Sequence, residues 1–173
     1  EDFFALSEDL LGGRYSEARQ TFVGLDYLKD FPFYSENDRW FRFLRDRVLG
    51  AENYVSIMHQ LMYAAEFEPK TIASRLWLTD DHLRNLYKDG HVLGLHSYTH
   101  PTLMEKLPKE RQRLEFEKNL DHLSTVLGSQ AQITAMSHPC GSYNEDTLEV
   151  LKTLGIEIGF RSSMSRRHIN SLL

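Results

Sequence analysis

Cysteine is almost missing from this chain. Cys140 is the only one in 173 residues, which excludes an internal disulfide framework and agrees with a reducing compartment. Long apolar runs are missing too, and nothing approaches the roughly 20 residues that a membrane span needs. The first residues, Glu1-Asp2-Phe3-Phe4, are not the basic-then-apolar text of a signal peptide. A cytoplasmic location is therefore expected over a secreted one. There is no initiator methionine, so the chain reads as processed, trimmed, or a piece of something longer. Repeats and low-complexity segments are absent. Positive charge is not in excess: the net charge is −5, with acids and bases interspersed. That argues against a nucleic-acid partner, which would leave a basic patch or stripe.

What remains is ordinary globular text. Apolar residues make up 41% of the chain, enough for a core, and the length suggests one domain over 1–173. Eight histidines are more than a chain of this size usually carries.

Residues 1–75 are the least readable part. Phe3 to Leu6 reads as the tail of a buried strand, and Ser7 to Leu11 as a short helix or loop ended by Gly12 and Gly13. Residues 30–34 look like a loop. Ser35 or Asn37 caps a helix through Trp40, Phe41, Leu44 and Val48, with Gly50 as its stop. Its aromatic stripe is expected to pack on a core rather than to stack on sugars. Tyr54, Ile57, Met58, Leu61 and Met62 mark a further amphipathic helix.

From residue 77 the text becomes regular. Thr79 caps a helix whose first turn holds Asp80 and Asp81, where negative charge suits the helix dipole. Leu83, Leu86 and Tyr87 form its buried face, and Gly90 ends it. His91 to Leu95 is a strand. Pro108 opens a helix with Phe116, Leu120, Leu123 and Leu127 on one face and Gly128 as its stop. Ala131, Ile133 and Ala135 alternate with Gln132, Thr134 and Met136 as a second strand. Asn144 caps a helix ended by Gly155, and Ile156 to Phe160 is a third strand. Alternating helices and strands imply a parallel α/β sheet, with function on the loops after the strands.

Two such loops carry chemistry. His96 and His100 stand four apart after the first strand, and Pro101 keeps His100 out of helical angles. The pair must converge through a turn, with Ser97 and Thr99 at hand to bond the local backbone. Two neutral imidazoles suit a divalent zinc, cobalt, nickel or iron ion. A catalytic zinc takes three protein ligands, so a third is expected from elsewhere, a carboxylate first. The second loop is Ser137-His138-Pro139-Cys140-Gly141-Ser142-Tyr143-Asn144. Amides near Cys140 and Gly141 are placed to face an oxyanion. His138 is a candidate base or acid, or a strand-end residue. Cys140 itself is expected to be packed.

Together the loops resemble the polysaccharide deacetylases of the NodB-homology type (carbohydrate esterase family 4). The resemblance covers about residues 76–162. The family motif H-[ST]-x-x-H matches His96, Ser97 and His100, preceded by Gly90-His91-Val92-Leu93-Gly94. The motif R-x-P-[YF]-G-x-x-N matches at Pro139, Gly141 and Asn144, and departs at Ser137 and Cys140. The resemblance implies a distorted (β/α) barrel, incomplete in this chain. It implies a divalent metal, zinc first, on His96 and His100. It implies a glycan substrate whose N-acetyl or O-acetyl groups are hydrolysed, with an acetate-holding amide at Cys140. The family's T-F-D-D-G motif, which supplies the base and the third ligand, does not occur here. Asp80-Asp81 lie before the wrong helix, and matching Phe3-Phe4 to the second strand of the fold would put the aspartates upstream. The late L-x-x-H motif is not evident, and His168 lacks its context. An internal part of a longer deacetylase is the expected account. A catalytically inactive, carbohydrate-binding or scaffold relative is the alternative.

Overall fold

The computed structural model describes residues 2–162. Packing divides the chain into two compact units, one of residues up to Ala73 and one from Ser74 onward.

The first unit is helical. Helix α1, Phe3–Leu11, starts where the Asp2 carboxylate accepts from the Ala5 amide at 2.9 Å. Phe3, Ser7 and Leu11 are its buried residues, which is helical spacing. The strand expected at Phe3–Leu6 is thus corrected to a helix: a short apolar run carries no period of its own, and the Asp2 cap decides. With it falls the match of Phe3-Phe4 to a strand. Helix α2 is Gly13–Val23. Helix α3, Glu36–Phe43, begins with a capping box between Ser35 and Asp38. It widens into a π-turn at Leu44–Leu49, and α4, Gly50–Ala64, follows. Gly50 caps the end of that segment as expected and begins α4 as well, with a φ of 74° that redirects the chain between the two.

Trp40, Phe43, Leu44, Leu49 and Ile57 bury themselves with Phe3 and Phe22. Trp40 stands 5.2 Å from the Phe22 ring and donates from Nε1 to the Tyr15 hydroxyl at 3.2 Å. The aromatic stripe is a core.

The short helix α5, Ala73–Leu76, precedes α6, Asp80–Lys88. Thr79 caps α6 as expected, with His82 completing the box. Asp81 pairs with Arg84 at 2.7 Å and Asp80 lies 3.8 Å from His122. Tyr87, expected on the buried face, is exposed. Helix α7 is Lys109–Leu127, with Pro108 as the residue before it, and α8 is Glu145–Thr153. Strands β1, Ala135–Ser137, and β2, Ile158–Phe160, pair in parallel, and Leu95 forms a parallel bridge to Met136 on the other side of β1. The alternation and the parallel sense agree with the sequence reading.

The strands themselves are shorter than expected. The His91 amide goes back to Leu86 O at 3.0 Å and closes α6, and of the expected strand only Leu95 pairs with β1. Gly94 lies so close to β1 that an added Cβ would sit 2.6 Å from Ala135 O. In the second strand Met136 is buried at 1% exposure, on the face that the alternation gave to solvent. Leu95, Ile133, Met136 and Ile156 pack on Phe116 and Leu123 of α7 and on Val150 and Leu151 of α8. Among the described residues the opposite face is bare: Val92, Ile158 and Phe160 are all exposed. A mixed α/β fold with a one-sided parallel sheet results. No full barrel is formed among the described residues, which is consistent with the incomplete barrel expected of this chain.

Candidate active site

Parallel pairing puts the ends of Leu95 and β1 side by side. The Leu95 amide donates to Ala135 O at 2.9 Å and the Ser137 amide to Leu95 O at 2.8 Å. The next residue after Leu95 is His96, and the next after β1 is His138. Both expected loops therefore leave the sheet at one end.

His96 is tied at two atoms. Its amide donates to Asn119 Oδ1 at 2.8 Å, and its ring Nδ1 lies 2.7 Å from Ser137 O. A carbonyl oxygen only accepts, so Nδ1 carries a proton, and of the two neutral tautomers the contact selects the one whose Nε2 is free to ligate. The chain then turns sharply. Ser97 and His100 both have positive φ, 67° and 56°, and the His100 amide donates to Ser97 Oγ at 3.1 Å. The rings of His96 and His100 end with centroids 4.9 Å apart, both side chains exposed. Convergence through a turn is as the sequence suggests. Thr99 departs from expectation: its hydroxyl donates to the Glu115 carboxylate at 2.7 Å instead of bonding the local backbone.

The second loop is built on a tight turn at Pro139–Gly141. The Gly141 amide donates to His138 O at 2.9 Å. That amide is engaged within the turn. Cys140 sits at a φ of 52° and is exposed, because the left-handed turn carries its side chain outward. The expectation of a packed thiol is corrected. Asn144 caps α8 through Thr147 and also ties down the loop, donating to Glu105 O at 3.0 Å and accepting from Gln112 Nε2 at 3.3 Å.

His138 is buried at 6% exposure, and its ring stacks on Tyr143 at 4.4 Å. Nδ1 is buried without a hydrogen-bond partner. Burial, with His96 nearby as a lesser cause, lowers its pKa to about 4. The ring is therefore neutral at pH 7 and poorly suited to serve as a proton-donating imidazolium. An open cleft of about 420 Å³ runs along the bare sheet face from Val92 to Phe160 and borders His96 and Ser137.

Among the described residues no third histidine, cysteine or carboxylate joins His96 and His100 in a cluster able to hold a metal. Asp80 and Asp81 serve α6. His168 lies outside the described residues. Three residues that matter were missed: Gln112, Glu115 and Asn119 of α7. Gln112 and Glu115 are buried. Their spacing continues the face of Phe116 and Leu123, and polar residues on an apolar face were the available signal.

A family model described as polysaccharide deacetylase matches residues 52–159. The chain belongs to the polysaccharide deacetylase family. The match begins within α4, well before the text that carries the resemblance, and ends in β2. No curated protein matches. Among solved structures, a Streptococcus pyogenes deacetylase, PplD, in complex with acetate is 19% identical, with a TM-score of 0.43, covering 60% of this chain and 48% of that one. A Bacillus anthracis CE4 family pseudoenzyme, BA3943, is 13% identical, with a TM-score of 0.43, covering 62% and 38%. The same TM-score and identity hold for a BA3943 mutant with restored enzymatic activity, covering 65% and 41%. The chain thus spans less than half the length of the solved structures it matches.

Proposed function

We propose that the chain forms part of a metal-dependent hydrolase that removes N-acetyl or O-acetyl groups from a polysaccharide or glycan precursor. The observation that carries this reading is the His96 ring bond to Ser137 O. A ligating histidine characteristically gives its other N–H to a carbonyl or carboxylate, which fixes the tautomer and orients the ring. His96 and His100 would hold the ion, and two imidazoles suit zinc first, with cobalt, nickel or iron as alternatives. Bound there, such an ion would supply Lewis acidity toward an acyl carbonyl.

The remaining work falls to the chain. The Ser137 carbonyl keeps the His96 ring in one tautomer. The loop with Pro139, Cys140, Gly141 and Asn144 frames the acyl group, and the Asn144 side chain fixes that loop against Glu105 and Gln112. The bare sheet face beside His96 gives the glycan its approach.

One observation favours the second reading, an inactive carbohydrate-binding or scaffold module. The single adjacent aspartate pair of the sequence, Asp80-Asp81, is spent on the start of α6.

The test is zinc content and acetate release with an N-acetylated oligosaccharide, for the chain and for His96→Ala/His100→Ala. Stoichiometric zinc and acetate release, both lost in the double variant, are expected. Zinc without acetate release would favour the inactive module. Zinc retained by the double variant would sink the assignment of the histidines.

A further inference from the structure

The turn from His96 to His100 has no sheet or helix to hold its amides. Two of its residues, neither of them glycine, adopt the left-handed region that glycine favours. Something must hold it in that shape, and α7 does so from below. The Glu115 carboxylate accepts from the Tyr98 amide at 3.1 Å and the Thr99 amide at 2.7 Å through Oε2. Its Oε1 accepts from the Thr99 hydroxyl at 2.7 Å. Asn119, four residues further along α7, accepts from the His96 amide at 2.8 Å.

We infer that Glu115 and Asn119 are positioning residues that set the geometry of the His96–His100 pair. Glu115 is 6% exposed. A carboxylate so placed needs its lone pairs satisfied, and the turn supplies three donors. The dependence is therefore mutual. The carboxylate fits only when the turn is folded, and the Tyr98 and Thr99 amides have their protein acceptor only when the carboxylate is there. Spacing confirms a common purpose, since residues 115 and 119 lie one above the other on the helix. Gln112, one turn earlier, does the same for the second loop through Asn144. One face of α7 thus carries the supports of both loops.

The inference rests on the reading of His96 and His100 as metal ligands for its functional consequence, but the geometry can be tested apart from it. In Glu115→Ala, hydrogen exchange at the Tyr98 and Thr99 amides should quicken by at least ~10-fold relative to the Phe116 and Leu123 amides. Zinc affinity of the folded protein should fall by about 10- to 100-fold, the usual cost of losing an outer support of a metal ligand. Glu115→Gln should restore most of both. Its carbonyl still accepts from the two amides, and its amino group donates to the Thr99 hydroxyl. Asn119→Ala, a change at a half-buried site, should release the His96 amide alone and weaken zinc binding in the same range.

Unchanged amide exchange in a folded Glu115→Ala protein would overturn the inference. So would unchanged zinc affinity in that variant when the parent binds zinc. If Glu115→Ala does not fold, Asn119→Ala decides by the same two readings. If the parent binds no zinc, the proposed function fails, and amide exchange alone decides the role of α7.

Discussion

A methyl group at position 94 has nowhere to go. The added Cβ would lie 2.6 Å from Ala135 O and 3.0 Å from its carbonyl carbon, both backbone atoms of the neighbouring strand. Flexible side chains can yield to such a contact and a paired strand cannot. Gly94→Ala should destabilise by roughly 1–3 kcal/mol, the usual cost of overpacking a filled site, measured by urea unfolding. It should also speed exchange of the Leu95 and Ser137 amides, which bridge the two strands. Unaltered exchange at both would show that the close approach is unnecessary. Single residues were legible in the sequence to different degrees. His96 and His100 declared themselves by type and spacing. Cys140 did not, because its exposure follows from a left-handed turn that no residue type announces. Glu115 stayed hidden because its place on the apolar face of α7 signals burial but names no partner until the turn it binds is known.

Elements were read best where their ends are chemically marked. Thr79, Ser35 and Asn144 each cap the helix assigned to them, and Gly128 and Gly155 follow the helices they were expected to end. Strands were read worst, since three residues of β1 or β2 carry too little pattern to set a boundary. Asn144 shows how much one marked end can hold. It caps α8 at Thr147 and joins Gln112 and Glu105 at the second loop. A cap replaced by alanine costs about 0.5–2 kcal/mol, and Asn144→Ala also removes one of the two acceptors of the buried Gln112 Nε2, leaving Leu107 O as the other. We expect a loss above that range in Asn144→Ala, by about another 1 kcal/mol. Asn144→Asp, which keeps the capping oxygen and loses the donor to Glu105 O, should fall between the two. Equal loss in Asn144→Ala and in a simple cap deletion such as Thr79→Ala would show that the loop contacts contribute nothing.

At the scale of the molecule, the reading reached further in the unit from Ser74 onward than in the one before it, where the helices through Trp40 and Ile57 were legible but α1 was taken for a strand. The difference is physical. Residues 77–160 alternate marked helices with apolar runs, and a parallel sheet follows from the alternation alone. Residues 1–73 pack helix on helix through scattered aromatic rings, which leaves no repeating signature. The charge balance and the short apolar runs agreed with the fold, and no helix among the described residues is long and apolar enough to cross a membrane. The proposed metal site makes a prediction at this scale. An ion that binds the folded state stabilises it by about 2.7 kcal/mol at a hundredfold excess over its dissociation constant, less whatever the unfolded histidines retain. For a chain of this size each kcal/mol moves the midpoint by about 2–4 °C. Zinc should therefore raise the melting temperature by roughly 5–10 °C, and a chelator should reverse it. Two packed units need not melt as one, so the transition should be followed at Phe116 and Met136, in the core beneath the two histidines. His96→Ala/His100→Ala should abolish the zinc shift and leave the metal-free midpoint nearly unchanged, since both side chains are exposed. An equal shift in parent and double variant would place the zinc elsewhere and remove the thermodynamic support for a metal at the turn.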